Sequence, residues 1–142
     1  MNYRTLFTSE HLDIFDLSPY IPCAILVSWK GHWGVEEYHK ELLQQTLDHF
    51  RDHHTQIMVS DHSTLQMVTL DLQELLEDWY YKEASKHGLK VEIWIEPTDI
   101  LARASVSLML GGDLSRNTEM LMPKVPDLDE ALLLASQFAE QL

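Results

Sequence analysis

Two short apolar runs with a helical stripe between them constrain this chain more than any other feature. Cys23-Ala24-Ile25-Leu26-Val27 follows Pro22 as an unbroken apolar run, and Ile57-Met58-Val59 forms a second. An apolar run without polar alternation suits a strand covered on both faces, as the inner strands of a parallel sheet are. Between the two, Val35, Tyr38, Leu42, Leu43, Leu47 and Phe50 recur at helical spacing on a polar background, which predicts an amphipathic helix ending near Asp52 or His53. Strand, helix, strand in that order implies a parallel pair joined by a crossover helix.

The rest of the chain extends this plan. Leu12, Ile14 and Leu17 nearly alternate before Ser18-Pro19, a first strand pairing antiparallel with the run at 23–27. Asp61-His62-Ser63-Thr64 has turn chemistry. Leu72, Leu75, Leu76 and Trp79 form a second helical stripe, with Thr69 or Asp71 as cap, the latter in a capping box with Glu74, and Gly88 as left-handed terminator. Val91, Ile93 and Ile95 alternate with Lys90, Glu92, Trp94 and Glu96, so one face of this strand is expected to be less covered. Thr98 or Asp99 then caps a helix through Leu110, closed by Gly111-Gly112, with Ile100, Leu101, Ala104 and Leu108 inward, and Asp113 to Thr118 reads as loop. Met120-Leu121-Met122 is expected as an edge strand, since Pro123 and Pro126 remove donors. Asp127 to Glu130 is a capping box opening a last helix with Leu128, Ala131, Leu132, Ala135 and Phe138 buried. The predicted order is β-β-α-β-α-β-α-β-α, an α/β fold in one domain over residues 1–142.

Composition removes several function classes. At 142 residues, two separate cores would each be small. Ten Lys and Arg against 23 Asp and Glu give a formal charge of -13, which opposes unaided binding to nucleic acid or anionic lipid. The single cysteine, Cys23, excludes an intrachain disulfide and fits a reducing compartment. No apolar run approaches the roughly 18 residues of a membrane span, and Met1-Asn2-Tyr3-Arg4 does not open a secretory signal. The expectation is a cytoplasmic protein.

A set of residues in order now points to a family. Leu12-Asp13-Ile14-Phe15-Asp16 opens the sheet, Trp29-Lys30-Gly31 ends the second strand, and Glu36-Glu37-Tyr38 starts the first helix. Asp61 follows the third strand, Asp78-Trp79 sits late in the second helix, and Leu128-Asp129-Glu130-Ala131-Leu132 comes near the end. Over about its whole length the chain resembles the STAS superfamily, in its stand-alone SpoIIAA-like bacterial branch, which is also compared with the lipid-binding CRAL-TRIO fold. The resemblance implies a five-stranded mixed, mainly parallel sheet with an N-terminal hairpin and about four helices, and a non-enzymatic regulatory or ligand-sensing role without cofactor. Anti-sigma-factor antagonists of the superfamily carry a phosphorylatable serine at the start of the helix after the third strand. The matching stretch here, Asp61 to Asp71, holds no Asp-Ser-Ser-Gly, and Thr69 is the residue that stands in for that serine as phosphorylation candidate.

Open α/β sheets bind partners at the carboxyl ends of their parallel strands. The loops expected there hold His32, Trp33, Asp61, His62, Ser63, Thr64 and Thr69, and these are the candidate partner- or ligand-binding residues. Trp33 either packs on a partner or folds over the sheet end as core. Other groupings read more simply. His49 and His53 share a helix face at i, i+4 beside Asp52 and His54, yet lack a third metal ligand at diagnostic spacing and suit a helix end. Asp61-His62-Ser63 holds the residue types of a hydrolytic triad, but three adjacent residues do not converge, and no catalytic residue is assigned. Cys23 is expected buried and inert in its strand. Trp79-Tyr80-Tyr81 covers more than one helix face and is expected under the last helix or at a partner surface, while Glu74, Glu77, Asp78, Lys82 and Lys86 read as a solvated face.

The leading expectation is therefore a regulatory, protein-interaction domain whose acidic charge suits a basic protein partner. The alternative is a small apolar-ligand or lipid-binding module with its pocket between sheet and helices. An edge at the last strand leaves a homodimer open.

Overall fold

The computed structural model describes residues 3–111 and 119–142, and the side chains of all of these but 106–111. Its elements are β1 (Arg4–Thr8), β2 (Leu12–Asp16), β3 (Ala24–Trp29), β4 (Gly31–Trp33), α1 (Glu37–His53), β5 (Ile57–Asp61) and β6 (Leu65–Val68). They continue with α2 (Leu70–Leu75), a π-helical turn (Leu76–Tyr80), α3 (Tyr81–Lys86), β7 (Val91–Ile95), α4 (Ile100–Gly111), β8 (Lys124–Val125) and α5 (Leu128–Gln141). The fold is α/β with a mixed sheet in the order β1-β2-β3-β5-β7-β8, beside a two-stranded sheet of β4 and β6. β1, β2 and β3 pair antiparallel; β3, β5, β7 and β8 pair parallel.

Because the strand order advances steadily from β3 to β7, crossovers of one hand put α1 and the α2–α3 rod on the same face. There Ile25, Val27, Trp29, Met58 and Trp94 meet Leu43, Leu47, Phe50 and Tyr80. The opposite face, with Ala24, Leu26, Val59, Ile93 and Ile95, is left for α5 and is covered by Ala131 and Ala135. Alternate residues of β3 thus enter two different cores, which is why its sequence shows no polar alternation.

Several expectations are corrected. The main sheet has six strands, not five, because Arg4–Thr8 adds an edge strand whose half-exposed residues give a weak periodic signal. The last strand is Lys124–Val125 rather than Met120-Leu121-Met122; Leu121 makes an isolated bridge to Val91. Proline denies a donor but not an acceptor, and the Pro123 carbonyl takes the Trp94 N–H at 2.8 Å. Both faces of β7 are covered, so Glu92 and Trp94 are buried. Cys23 is exposed just before β3, with φ 59°. Tyr38 is also exposed, and His39 takes the buried position on α1. In α4, Ala102 faces inward, whereas Ile100, Leu101 and Ala104 are exposed. α4 packs against β6, and Ala102 is the buried side chain of its first turns. The expectations for Leu108, Gly112 and the 113–118 loop fall outside what is described.

Other readings hold. α1 ends at His53, and His54 adopts φ 53° to close it. Thr69 accepts the Leu72 N–H as N-cap of α2, and Asp127 accepts the Glu130 N–H at 2.9 Å. Gly88 has φ 102°, the left-handed conformation of a helix terminator. No helix among the described residues is long and apolar enough to cross a membrane.

Candidate functional site: a polar pocket under the strand ends

The loops after β3 and β5 rise above the carboxyl ends of the parallel strands and pair as β4 and β6, Gly31 opposite Leu65 and Trp33 opposite Val68. Gly31 makes this possible with φ 74°, a conformation that L side chains rarely adopt, and its N–H meets the Thr64 carbonyl at 3.2 Å. The pair roofs a cavity of about 40 Å³. Trp29, His62, Glu92 and Trp94 line it from the sheet side, Trp33, Leu65 and Val68 from the roof, and Leu43, Leu72, Leu76, Tyr80 and Tyr81 from the helices.

The π turn is what brings two adjacent tyrosines into this wall. The Tyr81 N–H reaches back to the Leu76 carbonyl, five residues earlier, and the extra residue turns both Tyr80 and Tyr81 inward. The Tyr80 hydroxyl lies 2.6 Å from that of Thr46, which itself donates to the Leu43 carbonyl at 2.8 Å. This corrects the expected place of Trp79-Tyr80-Tyr81. The two tyrosines pack against the α1 side of the sheet, opposite α5.

Glu92 is the unusual member. It is 1 % exposed on a central strand. The Ser60 hydroxyl donates to its Oε2 at 2.6 Å, while Oε1 has no hydrogen-bond partner among the described residues. Burial pushes its carboxyl up to about 6, against the opposing pull of Ser60, Tyr81 and Trp94. The Trp94 pull acts without hydrogen-bond geometry, since Trp94 Nε1 is itself unpartnered, as is Trp29 Nε1. Two buried donors and a buried acceptor thus border one small cavity unsatisfied, an arrangement rare in protein interiors unless water or a ligand completes it.

His62 is neutral at physiological pH, because burial lowers its pKa to about 4 despite the Ile95 carbonyl and Asp61. Its Nδ1 lies 3.2 Å from the Ile95 carbonyl, which can only accept, so Nδ1 carries the hydrogen. Its ring sits 4.9 Å from that of Trp94.

Of the sequence-predicted residues, the structure brings Trp33 and His62 together in the cavity wall. Trp33 is 2 % exposed, donates from Nε1 to the Lys30 carbonyl and meets Trp29 edge-on at 5.2 Å. The burial alternative for this indole therefore holds. His32 and Thr64 are exposed on the roof's outer side. Asp61 and Ser63 form a turn, with the Ser63 N–H on Asp61 Oδ1 at 2.9 Å and the Ser63 carbonyl accepting from Thr98. Thr69 is committed to capping, its hydroxyl also donating to Asp71. Sequence reasoning missed Trp29, Ser60, Tyr80, Tyr81, Glu92 and Trp94. A signal was available, since a strand in the middle of a parallel sheet is covered on both sides and an acid within it is therefore buried.

Elsewhere, His49 and His53 stack with centroids 4.3 Å apart, and burial with the His53 charge lowers the His49 pKa to about 4. Among the described residues no group of three or more His, Cys, Asp or Glu is placed to hold a metal ion. No protein-family model matches the chain, and no curated protein shows a significant match to it.

Proposed function

We propose that this chain is a non-enzymatic regulatory module, of the kind the STAS resemblance implies, that docks a basic protein partner on its strand-end face. The observation that carries this reading is a group of outward-facing apolar side chains on adjoining elements of that face. Leu70 is 70 %, Ile100 82 % and Leu101 66 % exposed, with Met67 beside them on β6, the strand that α4 packs against. Apolar side chains grouped in this way mark interaction surfaces. Exposed Asp71 and Asp99 flank them, Arg103 is drawn to the Pro97 carbonyl, and the chain as a whole is strongly acidic. An apolar centre with an acidic rim suits a partner bearing an apolar anchor ringed by Lys and Arg.

The test is photo-crosslinking in cells that express the protein naturally, from a benzoyl-phenylalanine at position 101, with one at exposed position 133 on α5 as control. A discrete adduct with a basic protein from 101 and none from 133, lost on Ile100→Asp, supports the reading. An adduct with a second copy of the chain, or no adduct, overturns it.

A second reading, ligand binding between sheet and helices, is favoured by the unsatisfied polar atoms around the cavity. Its volume suits a few heavy atoms, far less than the several hundred Å³ that larger ligands fill. An acyl chain therefore fits this reading poorly.

A further inference from the structure

The cavity under the β4–β6 roof is bordered by unsatisfied polar atoms of both kinds, and the following rests on the second reading above. Two are donors without an acceptor among the described residues, the indole N–H groups of Trp29 and Trp94. One is an acceptor without a donor, Glu92 Oε1. All three residues are buried. Ser60 bonds the other carboxylate oxygen, and Tyr81 and Trp94 also pull on the carboxyl, yet Oε1 itself receives no hydrogen bond. Trp33, the third indole in the wall, already donates to the Lys30 carbonyl at 3.1 Å.

A group that completes this lining accepts from two N–H donors and donates to one oxygen. A cation cannot accept. An anion would meet Glu92, which no Lys or Arg among the described lining residues offsets. A neutral group that both accepts and donates meets all three demands. Trp29 ends β3, whereas Glu92 and Trp94 stand on β7, with β5 between the two strands. A hydroxyl would have to serve all three groups from one oxygen. An amide carries its acceptor and its donors on two atoms held in one plane, and its carbonyl oxygen has two lone pairs, one for each indole. Size narrows the class further. About 40 Å³ takes roughly three groups the size of water, which admits formamide or acetamide and leaves no room for a longer chain. From this lining we infer that the cavity binds a small primary carboxamide, its carbonyl oxygen accepting from Trp29 and Trp94 Nε1–H and its amino group donating to Glu92 Oε1.

The four tryptophans give indole N–H resonances that read each donor separately, with Trp33 and Trp79 as internal references. The full chain, labelled with nitrogen-15, is titrated with formamide at pH 7.5, and with methanol and ammonium chloride as the hydroxyl and cation references. Trp29→Phe and Trp94→Phe assign the two resonances. The expected result is a saturable downfield shift of the Trp29 and Trp94 indole protons with formamide alone. Its apparent Kd rises about tenfold in Glu92→Met, and about fivefold in Trp94→Phe read at Trp29, and thermal unfolding verifies that both variants fold. An unchanged Kd in the two variants, or a saturable response to methanol or ammonium equal to that with formamide, overturns the carboxamide while leaving the pocket reading in place. No saturable shift with any probe overturns both.

Discussion

Ser60 and Glu92, on adjacent parallel strands, are joined by a 2.6 Å hydrogen bond that satisfies one carboxylate oxygen and leaves the other bare inside the core. The Ser60 hydroxyl, with the further pull of Tyr81 and Trp94, does not outweigh the burial of the charge, and the raised pKa of about 6 records the deficit. The consequences of this pair and of its neighbours can be measured.

Glu92→Gln removes that deficit. A folded pKa near 6 against 4.5 for the free group means that the folded state binds the extra proton between those values. The stabilising effect of Glu92 protonation is present below about pH 4.5 and is lost as pH rises through 6. The stability of Glu92→Gln relative to wild type should therefore improve by about 2 kcal/mol between pH 4 and pH 7.5, as measured by urea unfolding at both.

His62→Gln acts with the opposite sign. The folded pKa near 4 lies below the ordinary 6.5, so the unfolded chain binds the proton first as pH falls. Wild type should lose about 3 kcal/mol relative to His62→Gln between pH 7 and pH 4. In wild type the two effects partly offset each other between pH 4.5 and 6, and the single variants uncover them in equilibrium unfolding.

The Thr46–Tyr80 pair predicts an asymmetry. Tyr80→Phe leaves the Thr46 hydroxyl still donating to the Leu43 carbonyl, and should cost about 1 kcal/mol. Thr46→Val strands the buried Tyr80 hydroxyl and should cost more, about 2 kcal/mol. Chemical denaturation at neutral pH ranks the two.

Thr69→Ala should cost about 1 kcal/mol through loss of the α2 cap, whereas Thr69→Asp, itself a good cap, should stay near wild type. Thermal unfolding separates them. The crosslinking assay then reads whether the position has any role beyond capping.

Leu101→Asn and Leu72→Ala test the phase of the helices. Leu101 is exposed and Leu72 is buried in the cavity wall. The first should change stability by less than about 0.5 kcal/mol, the second by about 3 kcal/mol.

How much of this was legible beforehand is clearest at β3, α1 and α5. An apolar run after Pro22, a stripe from Leu42 to Phe50 and a capping box at Asp127 are local signals, and each element lies where its signal puts it. The strand-end face was legible too, because a parallel sheet dictates where loops gather. Within it, however, His32 and Thr64 face outward while Trp33 and His62 turn into the core.

The sequence alone determined the α/β class, the caps, the terminator at Gly88 and the acidic character, since each depends on a few neighbouring residues or on a sum over all of them. Tertiary structure decided which faces are covered. Glu92 and Trp94 look solvent-facing by alternation and are buried because α1 and the π-turned helix close over that side of β7, while Ile100 and Leu101 look core-facing and are exposed, Ala102 being the neighbouring α4 residue that joins the core. Burial on the second side of a strand, and the phase of a short helix, depend on partners distant in the chain, which no local pattern encodes.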